Sequence, residues 1–212
     1  AWGGQQAIVA LGKAAEQHIM LSTLDLSKNF IKNEGFKAVH NLVRKERITN
    51  LSLANNQINA DAIAWVAKAC AMKSSMTSLD LSDNELVVFN DDHAKVDLEG
   101  FLSLLRALKK NKLLSRLDLS RNSVGGLKNK QELVDLSLYL QMSETITTMR
   151  LAGNNLNEVD VEQLSKGLKG NKTVTRLDLA NNRLAIHNQT GLVSLAGSLQ
   201  GGRMKYLDLS NN

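Results

Sequence analysis

Two charged side-chain types, arginine and aspartate, recur at fixed positions of a repeated motif in the second half of the chain. Arginine binds carboxylates through two parallel hydrogen bonds and is enriched at the energetic centres of protein interfaces. A cluster of these residues indicates recognition of a protein surface rather than covalent chemistry. The predicted cluster consists of Arg116, Asp118, Arg121, Arg150, Arg176 and Asp178.

Arg150 departs from the residue type found at the same position of the other motif copies. Five of them have aspartate there, and the sixth has Ser52. Adjacent parallel strands lie about 4.8 Å apart, so Asp118 and Asp178 are predicted to flank Arg150. Two interpretations stay open. Arg150 relieves repulsion between stacked aspartates, or it belongs to a binding surface with the other three arginines.

The motif that must position these residues is L-x-x-L-x-L-x-x-N. Its L-x-L alternation predicts a short strand with the leucines inward and the intervening residue outward. The asparagine at the ninth position is expected to hydrogen-bond backbone groups that the turn leaves unpaired, forming a ladder through stacked copies. The seven copies span residues 21–29, 48–56, 76–84, 114–122, 146–154, 174–182 and 204–212.

Helical segments separate the motifs. Apolar residues return at i, i+3 and i+4 spacing, as in Phe36, Val39 and Val43. Acidic residues such as Glu132 gather where helices begin, which suits the helix dipole. A unit of strand, turn and helix cannot bury its apolar face alone, so the units must stack.

The chain resembles the leucine-rich repeat family, because motif copies with a fixed asparagine cover nearly its whole length. Units of about 28 residues with true helices are similar to the ribonuclease-inhibitor-like subclass. The resemblance implies an α/β solenoid, or horseshoe, with a parallel β-sheet on the concave face and α-helices on the convex face. Residues 1–212 are interpreted as one array, and we expect that array to be a piece of a longer protein.

Two units contain extra residues between strand and helix, at 87–97 and 125–131. Insertions in solenoids tend to lie on one face, which is often the binding face. Phe89 in the first insertion is therefore a candidate partner contact, with folding back onto the adjacent turn as the open alternative. Asp83 at the border of the cluster and Tyr206, both predicted to face the concave side, complete the candidate partner-binding set.

Composition and motif content argue against several classes of protein. No apolar run approaches the roughly 18 residues of a membrane span, and the single cysteine, Cys70, suits a reducing, cytoplasmic location. We find no nucleophile–base pair and no metal-ligand spacing, so no enzyme activity, catalytic residue, metal or cofactor is predicted. The net charge of +5 permits an acidic protein partner. Nucleic acid is disfavoured, because no aromatic residues interleave with the basic stretch 106–130.

The sequence thus predicts a non-catalytic protein–protein interaction module or scaffold that presents a concave charged surface. One alternative is a GTPase-activating protein of the Ran-activator type, whose resemblance would centre on an Asn-Arg-Leu-Glu loop. Here the loop 153–158 has Asn155 in place of arginine, and the loop 181–186 has Ala185 in place of glutamate. A ligand-sensing repeat array of a NOD-like receptor is the other alternative. The oligomeric state is not determined by the sequence.

Overall fold

The computed structural model describes residues 6, 8–10, 13, 21–31, 33–44, 48–71, 75–89, 96–127, 130–184, 189–201 and 203–212. Short strands alternate with helices along this part of the chain. The strands are β1 (Thr23–Asp25), β2 (Asn50–Ser52), β3 (Ser78–Asp80), β4 (Val88–Phe89), β5 (Val96–Asp97), β6 (Arg116–Asp118), β7 (Thr148–Arg150), β8 (Arg176–Asp178) and β9 (Tyr206–Asp208). The helices are α1 (Asn33–Arg44), α2 (Ala60–Ala71), α3 (Glu99–Leu108), α4 (Gln131–Met142), α5 (Glu158–Leu168) and α6 (Thr190–Ser198).

Seven strands form one parallel sheet in the order β1-β2-β3-β6-β7-β8-β9. Each strand occupies the third to fifth positions of a motif, and equivalent positions of neighbouring motifs pair in register, as Leu117 does with Met149. Helices α1 to α6 connect the strands and pack against one another in sequence order. The predicted α/β solenoid is therefore confirmed.

The core lies between the sheet and the helices. Motif leucines such as Leu117 and Leu119 are at most 1% exposed, and so is the apolar residue two positions beyond the asparagine, for example Leu156. Helix residues such as Phe101 meet them from the other side and are equally buried. Full burial of each such side chain contributes about 1.5–3 kcal/mol, which explains why only stacked units are stable.

The motif asparagines form the expected ladder of hydrogen bonds. The Oδ1 atom of Asn182 accepts the backbone N–H groups of Asn154 (2.9 Å) and Leu156 (3.0 Å). Its Nδ2 atom donates to three carbonyl oxygens, two in its own turn and one in the preceding repeat. Asn56 and Asn84 make the same set of contacts. Each amide thus links two successive turns.

The ladder is interrupted at Asn122. Its Nδ2 atom donates to three carbonyl oxygens as its counterparts do. Its Oδ1 atom, although buried, accepts no hydrogen bond from the described residues. The interruption coincides with the longest unit of the array, in which extra residues follow Asn84. The insertion therefore separates two otherwise regular parts of the ladder.

A second ladder, which was not predicted, runs along the second motif position. There a threonine or serine hydroxyl donates to the backbone carbonyl of the same position in the preceding repeat, at 3.1–3.3 Å. The donors are Thr49, Thr77, Ser115, Thr147 and Thr175. These hydroxyls hold neighbouring strands together and are not free for a partner.

The two insertions differ in structure. The first forms a small antiparallel ribbon, in which Val88 pairs with Asp97 and Phe89 with Val96. Val87 at its base is 4% exposed and belongs to the core. In the second insertion, the Gly126 N–H (2.7 Å) and the Lys130 ammonium (2.6 Å) both donate to the buried carboxylate of Asp160. The second insertion is thereby tied to the first turn of α5.

Candidate functional site

The candidate cluster lies on the outward face of the sheet. Arg116 is in register with Thr148, which is in register with Arg176 on the next strand. Two residues further along each strand, Arg150 lies between Asp118 and Asp178, as the sequence predicted. A groove of about 380 Å³ runs across these strands and is lined by Ser78, Leu79, Asp80, Arg116, Leu117, Asp118, Thr148, Arg150 and Arg176.

The aspartates at the fifth motif position cap the end of their own strand. The Oδ1 atom of Asp118 accepts the backbone N–H of Ser120 at 3.0 Å, and that of Asp178 accepts the N–H of Ala180 at 3.1 Å. Asp80 accepts both the N–H and the hydroxyl of Ser82. Aspartate is thus common at this position partly because it stabilises the turn, a role that the sequence interpretation missed.

Arg150 pairs with one of its two acidic neighbours. Its Nη1 atom donates to Oδ2 of Asp118 at 3.2 Å, with 47% of the arginine side chain exposed. Asp178 lies in ion-pair distance of no lysine or arginine among the described residues. An exposed ion pair of this kind contributes only about 0–1 kcal/mol. Relief of repulsion between aspartates therefore explains Arg150 with respect to Asp118 but not with respect to Asp178.

Arg121 forms a two-pronged ion pair with Asp83 of the preceding motif, through its Nε and Nη2 atoms. The Arg121 guanidinium holds the pKa of Asp83 below its usual value, chiefly through this hydrogen bond. The two residues are 38 positions apart and occupy the same motif position. Both residues are candidate partner contacts, and the structure brings them together at one side of the cluster.

The eighth motif position has a left-handed backbone in every repeat. The residues there are Lys28, Asn55, Asp83, Arg121, Gly153, Asn181 and Asn211, with φ between 54° and 66°. Glycine and asparagine adopt this conformation readily, whereas arginine does so at a cost of about 1–2 kcal/mol. The left-handed backbone is thus a property of the turn in every repeat, and Arg121 carries a backbone cost there that Gly153 and Asn181 do not.

Gly153 makes room for Arg121. A Cβ atom on Gly153 would lie 2.8 Å from Cγ of Arg121, so the aliphatic part of the arginine packs directly over the glycine. The φ of Gly153 is +66°, which also disfavours a side chain. Gly153 thus fixes the path of Arg121 towards Asp83.

Replacing Gly153 with alanine is expected to destabilise the fold by about 1–2 kcal/mol, because it combines backbone strain with the collision at Arg121. Urea unfolding followed by circular dichroism measures the loss. The Arg121→Ala change removes the colliding Cγ atom. The free energy of unfolding of the double variant Gly153→Ala/Arg121→Ala should therefore fall by less than the sum of the losses in the two single variants. Strict additivity would contradict this packing.

Arg116 and Arg176 form no ion pair with an acidic side chain among the described residues. Arg116 forms no side-chain hydrogen bond or ion pair within the described part of the chain, and its side chain is exposed. The Arg176 guanidinium lies 3.9 Å from the ring centre of Tyr206, an arrangement that favours cation–π attraction. The Tyr206 hydroxyl donates to Asp208 at 3.2 Å, which holds the ring in place. Tyr206 is thus part of the cluster, as a support for Arg176.

Several groove residues were absent from the predicted set. Ser78, Asp80 and Thr148 line the groove beside the predicted arginines. Their motif positions, the third and the fifth, were the available signal, because these positions face outward on every strand. Phe89 is located in β4 by its backbone, but its side chain lies outside the described residues, so its partner role stays a prediction.

Neither a metal centre nor a membrane span is found in the described residues. No three His, Cys, Asp or Glu side chains come together there in a way that could hold a metal ion. None of the described helices has the length and apolar character needed to cross a bilayer.

Comparison with known proteins agrees with the fold. A family model described as a leucine-rich repeat matches residues 73–86. A search of curated proteins finds no match. The chain is similar in structure to the tropomodulin C-terminal domain from Caenorhabditis elegans, with a TM-score of 0.52, 11% identity, and coverage of 92% of this chain and 91% of that one.

An internalin from Listeria monocytogenes is similar over 96% of this chain and 51% of its own, with a TM-score of 0.52 and 19% identity. This chain therefore spans about half the length of that internalin. At these identities the likeness concerns the fold alone, and the ribonuclease-inhibitor-like subclass stays a prediction. The repeated motif, the register of the seven-stranded sheet and these comparisons together show that the chain has the fold of a leucine-rich repeat solenoid.

Proposed function

We propose that the chain is a non-catalytic protein-binding module or scaffold whose partner occupies the groove across β3, β6, β7 and β8. The observation that carries this proposal is the pair of exposed guanidiniums at the groove, those of Arg116 and Arg176, which have no acidic partner in the described chain. Arginines that a fold does not neutralise are typical anchors of protein interfaces.

Rigidity of the sheet supports the proposal. The asparagine and hydroxyl ladders fix neighbouring strands on both sides of the groove. A preformed surface binds with a smaller loss of conformational entropy than a flexible one. Among the other predicted contacts, Asp83 and Arg121 pair with each other and Tyr206 supports Arg176, so these three would extend the surface beyond the groove.

The cytoplasmic location is part of the same proposal and rests on the single buried cysteine, Cys70. Burial raises the pKa of the Cys70 thiol to about 12, so the group is protonated and inert at physiological pH. The GTPase-activator and receptor interpretations stay predictions.

A substitution that blocks the groove without changing its charge tests the location of the proposed site. Thr148 lies between Arg116 and Arg176, and aromatic residues are well tolerated in strands. Peptides selected from a random phage-displayed library against the native chain are expected to bind the Thr148→Trp variant at least about tenfold more weakly.

Val193→Trp, on the exposed side of α6, is the matched control and should leave binding unchanged. Circular dichroism of both variants confirms that each is folded. Selected peptides that bind both variants as well as the native chain would show that the groove is not the binding surface.

A further inference from the structure

The four arginines of the cluster divide into two pairs by their partners. Arg121 and Arg150 each form an ion pair with an aspartate of the neighbouring repeat. Arg116 and Arg176 form none within the described residues, although both lie beside aspartates of their own strands. The charges of Arg121 and Arg150 are neutralised within the fold. The positive charge of the cluster that is available to a partner therefore lies on Arg116 and Arg176.

The geometry of Arg116 and Arg176 sets the spacing of that charge. Both occupy the third motif position, with Thr148 between them in register, so their backbones are two strand spacings, about 10 Å, apart. Both side chains are exposed, whereas Asp118 and Asp178 on the same strands, and Asp80 on the neighbouring β3, are half-buried. A molecule that enters the groove meets the two guanidiniums before it meets the aspartates.

The aspartates are largely occupied by the fold. Asp80 accepts hydrogen bonds from Ser82 and Ser52, and Asp118 accepts them from Ser120 and Arg150. Asp80 and Asp118 therefore compete little for Arg116.

Asp178, on the same strand as Arg176, disfavours a polyanion. Asp178 retains an oxygen that accepts no hydrogen bond in the described chain, and its negative charge lies two residues along the strand from Arg176. A nucleic-acid backbone carries phosphates at every step and cannot avoid such acids. A peptide can place carboxylates at the two arginines and a neutral or basic residue near Asp178.

We propose that the partner enters the groove with an acidic peptide segment, and that two of its carboxylates bind Arg116 and Arg176, one to each guanidinium. The proposal rests on the proposed function and adds the chemistry of the occupant. Each contact is a charge-assisted, two-pronged hydrogen bond, for which lysine is a poor substitute.

The test uses short synthetic peptides as probes. One alternates Glu and Ala, the second has Gln in place of Glu, and the third has Lys. Titration followed by NMR of the arginine Nε–H groups is expected to shift the signals of Arg116 and Arg176 with the Glu peptide. Arg203, which is exposed and forms no ion pair in the described chain, provides the reference signal.

The variant Arg116→Gln/Arg176→Gln should bind the Glu peptide at least about tenfold more weakly than the native chain does. The control Lys169→Gln/Lys172→Gln removes the same charge from exposed residues at the end of α5 and should bind nearly as well as the native chain. Equal losses of affinity for the Glu peptide in the two double variants would show that the peptide is attracted by net charge alone, and would overturn the proposal.

Two further outcomes separate this proposal from the proposed function. An oligothymidylate that shifts the same signals at a lower concentration than a Glu peptide of equal charge would assign the groove to nucleic acid and overturn both. Library peptides that bind the native chain but not the Thr148→Trp variant, and that contain no acidic residues, would contradict the proposal of an acidic partner. They would still support the proposed protein-binding function of the groove.

Discussion

Replacing Asn182 with alanine is expected to lower the free energy of unfolding by about 3–5 kcal/mol, because several buried backbone groups lose their partners at once. Its Oδ1 atom accepts two buried N–H groups, and its Nδ2 atom donates to three buried carbonyl oxygens. Alanine can replace none of these bonds, and water has little access to the site, since Asn182 is only 8% exposed. Urea unfolding followed by circular dichroism measures the change.

Asn122 supplies the matched control, because it has the same residue type and motif position and is also buried, at 0% exposed. It keeps the three Nδ2 bonds but has no donor to Oδ1 among the described residues. Asn122→Ala should therefore cost about 1–3 kcal/mol less than Asn182→Ala. Equal losses at the two positions would mean that the interruption of the ladder has no energetic consequence.

Stability is expected to fall as the pH rises from about 4.5 to about 7, because Glu132 is buried without a partner. The side chain is 0% exposed in the first turn of α4, and neither carboxylate oxygen accepts a hydrogen bond from the described residues. Burial raises the pKa of Glu132 from 4.5 to about 7, and the nearby charge of Asp160 adds to the shift. The backbone N–H of Glu132 itself opposes the shift, and so, more weakly, does the charge of Lys130, which bonds to Asp160 at 2.6 Å.

The direction follows from proton binding. Between the two pKa values the folded chain holds a proton on Glu132 that the unfolded chain has released, so raising the pH favours unfolding. The effect is complete above the folded pKa of about 7. At about 1.4 kcal/mol per unit of pKa, the shift from 4.5 to about 7 corresponds to an effect on the order of 3 kcal/mol.

Glu132→Gln should remove this dependence, since the amide does not titrate. The loss of stability between about pH 5 and about pH 8 is expected to shrink in the variant by the amount attributed to Glu132. Glu162→Gln, at an exposed site on α5, is the control and should retain the native dependence. An unchanged pH profile in Glu132→Gln would contradict the shifted pKa. The readout is a difference between two pH values, so the cost of burying the amide cancels.

The repeated motif was sufficient to predict the strands, their order of stacking and the role of the asparagines. These features depend on local alternation and on a fixed spacing, both of which are visible in one chain. The predicted neighbours of Arg150 are correct for the same reason, because in-register stacking brings equal motif positions together. The hydroxyl ladder could have been found from the Thr and Ser residues at the second position.

The charge pairing was not predictable at this level. Asp118 and Asp178 are equivalent in sequence, yet only Asp118 pairs with Arg150. Arg121 and Arg116 lie in the same motif. Arg121 forms an ion pair with Asp83 across the longest unit, whereas Arg116 forms no ion pair among the described residues. Side-chain partners depend on rotamers and on backbone twist, which vary between repeats with the same motif.

The sequence by itself determined that this protein is a stacked repeat with charged residues on one face, since periodicity dictates which side of a strand each residue occupies. The tertiary structure alone decided which of those charges stay free. Gly153 opens the space for Arg121, and the ladder is interrupted at Asn122, in the repeat that follows the longest unit. Glu132 is buried near the charge of Asp160 in the next repeat. Each outcome depends on contacts between repeats, and such contacts have no periodic signature in the chain.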